Sequence, residues 1–134
     1  MLNAGCLISI PSVIDERGGL SFAEARRTIP FAIERVFWIY DVPQSAVRGG
    51  HAHWQCSEVV VAVSGSFTLV LDDGQKRTET RLDRPDQGAI VEAGVWCELR
   101  DFAPNTVIVV MASHPYCAEG YVHTYEEYLK AKRK

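Results

Sequence analysis

The 134-residue chain predicts an all-β fold, an antiparallel sandwich or barrel finished by one short C-terminal helix. Three observations carry that expectation. Short apolar segments rich in aromatic and β-branched residues recur along the chain, separated by glycine, proline, asparagine and aspartate at turn spacing. Almost nothing before the tail repeats with helical period. The tail then changes character, with Thr124 and Glu127 in a capping-box arrangement ahead of Tyr125, Tyr128 and Leu129 on one apolar face.

In chain order, Phe31 to Tyr40 is the first strong strand signal, with bulk on both faces. Arg48 to His53 follows as a strand whose alternate positions are histidine. Glu58 to Val63 and Phe67 to Leu71 flank the tight turn Ser64-Gly65-Ser66. Asp72-Asp73-Gly74 is a hairpin signal leading into Gln75 to Leu82, whose polar alternation marks a solvent-facing strand. Ala89 to Glu92, Trp96 to Asp101 and Thr106 to Ala112 complete the series, separated by Gly94 and by Pro104-Asn105. No repeat, linker or low-complexity stretch interrupts them, so residues 1–134 read as one domain, long enough to bury a core.

A net charge of −3 argues against binding nucleic acid through an overall field, although Arg17, Arg26, Arg27, Arg35 and Arg48 could still supply a local anion site. The basic ending Lys130, Lys132, Arg133, Lys134 reads as a solvated helix end. Cys6, Cys56, Cys97 and Cys117 show neither Cys-x-x-Cys spacing nor disulfide-scaffold density, which suits buried or semi-buried thiols in a reducing compartment. Met1 to Ile10 lacks the basic and apolar regions of a signal peptide, and no segment has the length of a membrane span. The expectation is a soluble cytoplasmic protein.

The chemistry is concentrated in Arg48-Gly49-Gly50-His51-Ala52-His53. Two histidines one residue apart on a strand share a face at roughly 6–7 Å. Such a pair can hold a metal or move protons on a bound molecule. The spacing His51-x-His53, then Glu58 and Gly65, resembles the first signature of the cupin superfamily of jelly-roll barrels. Gly88 and Gly94 fit the opening of its second signature, but Cys97 stands where the metal-binding histidine belongs. A metal-free site is therefore the expectation.

A closer resemblance spans about Arg17 to Tyr125. Phe31-x-Ile33-x-Arg35-Val36, Tyr40-Asp41, the His-x-His segment, Leu71-Asp72-Asp73-Gly74, Val95-Trp96, Asp101-Phe102 and Ala112-Ser113 are similar to the WxcM-like sugar-nucleotide 3,4-ketoisomerases. The resemblance implies a metal-free, cofactor-free enzyme that converts dTDP-4-keto-6-deoxyglucose to its 3-keto isomer for deoxyamino-sugar biosynthesis. It implies His51 as the carbon base and His53 as its proton-shuttling partner. Arg48 would hold the enediolate or the diphosphate, Arg35 would approach the diphosphate, and Trp38 or Trp96 would offer the base a flat surface. Arg17 and Cys97 match positions expected near the sugar. Two residues depart from the family pattern: Cys97 replaces a histidine, and His123 stands where arginine is common. Glu58 is expected to orient His53, and the face carrying Phe37 and Ile39 to form a homodimer. The rival readings are a 3,5-epimerase, a metal-dependent cupin oxygenase and a non-catalytic sugar-binding module.

Overall fold

A computed structural model describes residues 6–133, so Met1 to Gly5, half of the segment read for a signal, and Lys134 lie outside the described residues. Two five-stranded antiparallel sheets face each other. The first runs β1 (Leu7–Ser9), β9 (Gln87–Val91), β6 (Glu58–Ser64), β11 (Val107–Ala112) and β4 (Arg35–Ile39). The second runs β12 (Tyr121–Val122), β5 (Arg48–His53), β10 (Trp96–Arg100), β7 (Phe67–Asp72) and β8 (Arg77–Leu82). A separate hairpin joins β2 (Ser12–Asp15) to β3 (Gly18–Ser21), and α1 (Tyr125–Lys132) is the C-terminal helix. The expected antiparallel all-β barrel with a C-terminal helix is what forms.

Alternation decides which side chains fill the space between the sheets. Val60, Ala62, Ile108 and Val110 from the first sheet meet Leu69, Leu71, Cys97 and Leu99 from the second in one buried cluster. The intervening residues of β6, Val59 and Val61, would face solvent in a bare sandwich. Instead, the segment before β4 crosses over them, and Ile10, Ile29, Phe31 and Ile33 pack there. That is why β6 is apolar on both faces, and why Phe31 and Ile33 belong to a covering segment rather than to the strand expected from residue 31.

On β4, Arg35, Phe37 and Ile39 point inward, and Phe37 and Ile39 pack on the core. The exposed face is the other one: Val36 is 49% exposed, Trp38 62% and, just beyond the strand, Tyr40 60%. This corrects the expectation that Phe37 and Ile39 form an exposed apolar face. Both faces of the strand are apolar in sequence, so composition could not choose between them. The β2–β3 hairpin is exposed throughout and carries further apolar side chains, Ile14 at 77% and Leu20 at 59%. No helix of the described residues is long and apolar enough to cross a membrane.

The outer face of the second sheet is closed by α1. Thr124 Oγ1 accepts from the Glu127 amide at 3.2 Å, the N-terminal cap read from sequence. One turn later Tyr128 is fully buried against Ala52 and Trp96. Its hydroxyl lies 2.7 Å from the Gly94 carbonyl oxygen and 3.1 Å from that of Asp72. Tyr125 donates to Asp72 Oδ2 at 2.7 Å, and Arg77 bridges Asp72 and Glu98 at 3.1 and 3.2 Å.

Candidate active site

The phase of β5 is set by a bulge. Cys97 pairs with His51 and Glu98 with Gly49, so three residues of β5 span the length of two on β10. Gly49 and Gly50 absorb the extra residue at φ +76° and +66°, a left-handed conformation that only glycine adopts without strain. Without it, every residue beyond would change faces. With it, His51 lies on the same face as buried Cys97, inside the barrel.

Two spaces meet at His51. A void of about 10 Å³, with room for about one water, lies inward among His51, His53, Glu58 and Cys97. An open cavity of about 280 Å³ lies outward, lined by Arg35, Phe37, His51, Glu58, Tyr116, Tyr121 and His123. His51 and Glu58 border both.

The two motif histidines are held differently. The Gly49 carbonyl accepts a hydrogen bond from the His51 ring, which leaves the other ring nitrogen without its proton in the neutral tautomer and able to accept one. Burial holds the His51 pKa below the ordinary histidine value, and the nearby His123, His53 and Arg35 act in the same direction. His53 instead accepts two backbone amides on Nδ1, from Cys56 at 2.9 Å and Gln55 at 3.1 Å. The Cys117 carbonyl accepts from the same ring. A side chain at Gly120 would collide with His53 Nε2, so the backbone closes over that edge as well. Nδ1 of His53 is thus committed to backbone. Its pKa is also lowered, first by burial and then by His114 and Arg35.

Around His51 the charges are paired. Arg35 Nη2 lies 3.8 Å from Glu58 Oε2 and donates to the Tyr121 hydroxyl at 3.4 Å. Its guanidinium sits over Phe37 at 5.0 Å and Tyr116 at 5.7 Å from the ring centroids. Glu58 therefore partners Arg35, not His53 as expected from sequence. Burial raises the Glu58 pKa, with Arg35 opposing. Cys97 is buried at the inner end, and desolvation pushes its thiol far above the usual cysteine range, so it is a neutral wall rather than a nucleophile. Among the described residues no three His, Cys, Asp or Glu side chains converge at metal-ligand spacing.

Of the sequence-predicted residues, His51, His53, Arg35 and Cys97 are brought together. Trp38 is not, since it lies on the opposite face of β4 from Arg35. Trp96 is buried beneath α1. Arg48 pairs with Leu99 at the exposed start of β5 and lines neither space beside His51. Arg17 is at the turn of the β2–β3 hairpin, ion-paired with Asp15 at 2.8 Å, and the hollow beside it is lined by hairpin residues alone.

Tyr116, Tyr121 and His123 line the open cavity although none of them is among the site residues expected from sequence. Tyr121 touches both motif histidines, with centroids 4.8 Å from His51 and 4.6 Å from His53. It also stacks on His123 at 5.8 Å. The available signal was Tyr121-x-His123, a second alternate-position pair. It was hidden because β12 is only two residues long.

The same arrangement of chain is found in known proteins. A curated relative, the TDP-4-oxo-6-deoxy-α-D-glucose-3,4-oxoisomerase of Aneurinibacillus thermoaerophilus, is 38% identical over 124 residues, 92% of this chain and 89% of that one. A 3,4-ketoisomerase from Helicobacter canadensis superposes with a TM-score of 0.93 at 32% identity, covering 96% of each chain. A variant of QdtA, a 3,4-ketoisomerase from Thermoanaerobacterium thermosaccharolyticum, superposes with a TM-score of 0.92 at 29% identity, covering 95% of this chain and 92% of that one. Its structure holds TDP-4-keto-6-deoxyglucose. The family model described as FdtA, WxcM-like, C-terminal matches residues 4–133, and the chain belongs to that family.

Proposed function

We propose that this protein is a sugar-nucleotide 3,4-ketoisomerase, converting TDP-4-keto-6-deoxyglucose to a 3-keto isomer with His51 as the carbon base. The relatives supply the activity and substrate class. The observation that carries the catalytic assignment is the place of His51, whose ring borders an open cavity beside the Arg35–Glu58 pair.

The C4 ketone acidifies the proton on C3, and a neutral imidazole held below its ordinary pKa accepts that proton at neutral pH. Negative charge then develops on O4 as the C3–C4 double bond forms, and moves to O3 when the hydroxyl proton passes between the two oxygens. Arg35 cannot lose its proton and lies in the same wall, so it is the group that stabilises that charge. His53 acts as a positioning residue: its backbone hydrogen bonds tie the strand end to the loop that carries Tyr116 and Tyr121. Cys97 closes the inner end beside the sugar.

A cavity of about 280 Å³ falls near the lower end of small-molecule sites and takes a hexose, with the nucleotide lying outside it. Arg48, exposed at the start of β5, is placed to meet the diphosphate there. The reading includes a homodimer in which Trp38, Val36 and the hairpin residues Ile14 and Leu20 become covered. Arg17 then reaches substrate from the partner's hairpin, because its own hairpin turn is apart from the cavity. Residues 1–134 act as one soluble cytoplasmic domain, and the mechanism asks for no metal or other cofactor.

Proton NMR of the purified protein with TDP-4-keto-6-deoxyglucose tests the reading. A 3-keto-6-deoxyhexose appearing with no added cofactor is the expected result. Exchange at C5 without that product points to a 3,5-epimerase, and turnover that appears only when a metal is added overturns the metal-free mechanism.

A further inference from the structure

Moving the carbonyl from C4 to C3 shifts hydrogen twice, once between the carbons and once between the oxygens. His51 accounts for the carbon side. On the oxygen side, O4 must gain a proton as the C4 carbonyl opens, and O3 must lose one as the new carbonyl forms. A single group that serves both oxygens has to start with a proton and lie in the wall of the open cavity. It also has to stand close to His51, because O3 and O4 are bonded to the two carbons at which His51 works.

Most groups around the sugar fail one of these conditions. Arg35 does not release a proton in water. Glu58 is the ion-pair partner of Arg35 at 3.8 Å, so it starts as a carboxylate. Cys97 and His53 border the inner void rather than the open cavity. The Tyr116 ring is 67% exposed and meets Tyr121 rather than His51. His123 lines the cavity with its ring centroid 6.5 Å from that of His51, and Tyr121 stands nearer, at 4.8 Å.

Tyr121 meets every condition. Its hydroxyl accepts from Arg35 Nη2 at 3.4 Å, and a guanidinium has no acceptor to offer in return. The phenolic proton therefore points elsewhere, and no described residue takes it. Edge-on contacts with His51 and with His53, at 4.6 Å, hold the ring in place, together with the stack on His123 at 5.8 Å. Only the hydroxyl hydrogen is left to turn towards a ligand in the cavity.

We infer that Tyr121 is a second catalytic residue, whose phenol protonates O4 and then takes the hydroxyl proton from O3. The inference rests on the ketoisomerase reading above. The C3–H bond breaks and its electron pair forms the C3–C4 double bond. The C4 carbonyl π pair takes the phenolic proton, and Tyr121 becomes a phenolate beside the Arg35 cation. The phenolate then takes the proton from O3, the O3–H pair forms the C3 carbonyl, and the double-bond pair takes a proton at C4. His51 gives up the proton it removed, directly or to water, so both residues end as they began. No oxidant or reductant enters.

The test follows conversion of TDP-4-keto-6-deoxyglucose by wild type, by Tyr121→Phe and by protein carrying 3,5-difluorotyrosine at position 121. Tyr121→Phe keeps the ring against both histidines and loses only the hydroxyl. Its turnover is expected to fall about 100-fold or more, with KM close to the wild-type value. Difluorotyrosine keeps the hydroxyl and makes it more acidic. That protein is expected to turn over in mild acid and to lose activity on the alkaline side at a lower pH than wild type, since a carrier without its proton cannot open the C4 carbonyl. Arg35, Glu58, His51, His53, His123 and Tyr116 surround the phenol in all three proteins, so a displaced alkaline limb reports the phenol itself. Full turnover by a folded Tyr121→Phe protein overturns the inference. An alkaline limb unmoved by fluorination also overturns it, marking a role in packing alone, and this readout decides if Tyr121→Phe fails to fold. If wild type does not convert the substrate, the ketoisomerase reading itself falls, and this inference with it.

Discussion

On the inner face of β5, His51 meets a cavity open to solvent, and several of the groups around it are charged or ionisable. On its outer face Ala52 is 1% exposed beneath Trp96 and Tyr128, and the polar atoms there are tied to named partners. The strand is thus clamped from behind and free in front. A proton-transfer site needs its base placed within a few tenths of an ångström, yet it cannot be packed on the side where substrate binds. The packing that fixes the geometry therefore has to lie on the other face, and α1 supplies it. A helix in the chain's last ten residues serves the site without touching substrate.

The contrast can be broken from behind. Tyr128→Ala removes a fully buried ring and the hydroxyl that donates between the Gly94 and Asp72 carbonyls, and about 3–5 kcal/mol of stability is expected to go with it in urea unfolding. Tyr128→Phe keeps the ring and is expected to lose about 1–2 kcal/mol. The folded fraction of Tyr128→Ala is expected to lose turnover as well, whereas Tyr128→Phe, which keeps the ring behind the strand, should retain most of it. A stable Tyr128→Ala protein would contradict the clamp.

His53 sharpens the comparison from the front. His53→Ala leaves the Gln55 and Cys56 amides without their acceptor, at a cost of about 1–3 kcal/mol. Its effect on turnover should be smaller than that of losing His51, since His53 borders the small inner void rather than the open cavity and its Nδ1 is held by backbone. An inactive but fully stable His53→Ala protein would restore it as a proton carrier.

The smallest expected effect is that of pH. Burial lowers the pKa of both His51 and His53 relative to the unfolded chain. The unfolded state therefore takes up protons first as pH falls, and stability contributed by the neutral rings is lost below the ordinary histidine value of about 6.5. The acid limb of the rate profile follows the same sign: His51 stays neutral, and active, to a lower pH than a free histidine. An acid limb above that value would mean that another group controls the rate.

Much of this was legible in the chain. The capping box placed α1, and the His-x-His spacing placed two imidazoles on one face, because both patterns are local. The phase of Arg48 relative to His51 was not, since a bulge at Gly49 and Gly50 resets the alternation between them. Nor was the direction of Trp38 legible, because β4 is apolar on both faces and alternation carries no information there. The hairpin carrying Arg17 has exposed apolar residues that a reading for buried strands passes over. The Tyr121–His123 pair joins the site through a two-residue strand whose partner, β5, is some seventy residues earlier, a contact no local pattern announces.

The most direct test of the central claim is the exchange of the C3 hydrogen of TDP-4-keto-6-deoxyglucose with deuterium oxide, followed by NMR for wild type and for His51→Asn. The account predicts rapid exchange by wild type. It predicts a loss of about 100-fold or more in the variant, with thermal unfolding unchanged. Exchange that survives in a folded His51→Asn protein would show that another group is the base, and would contradict the assignment on which the mechanism stands.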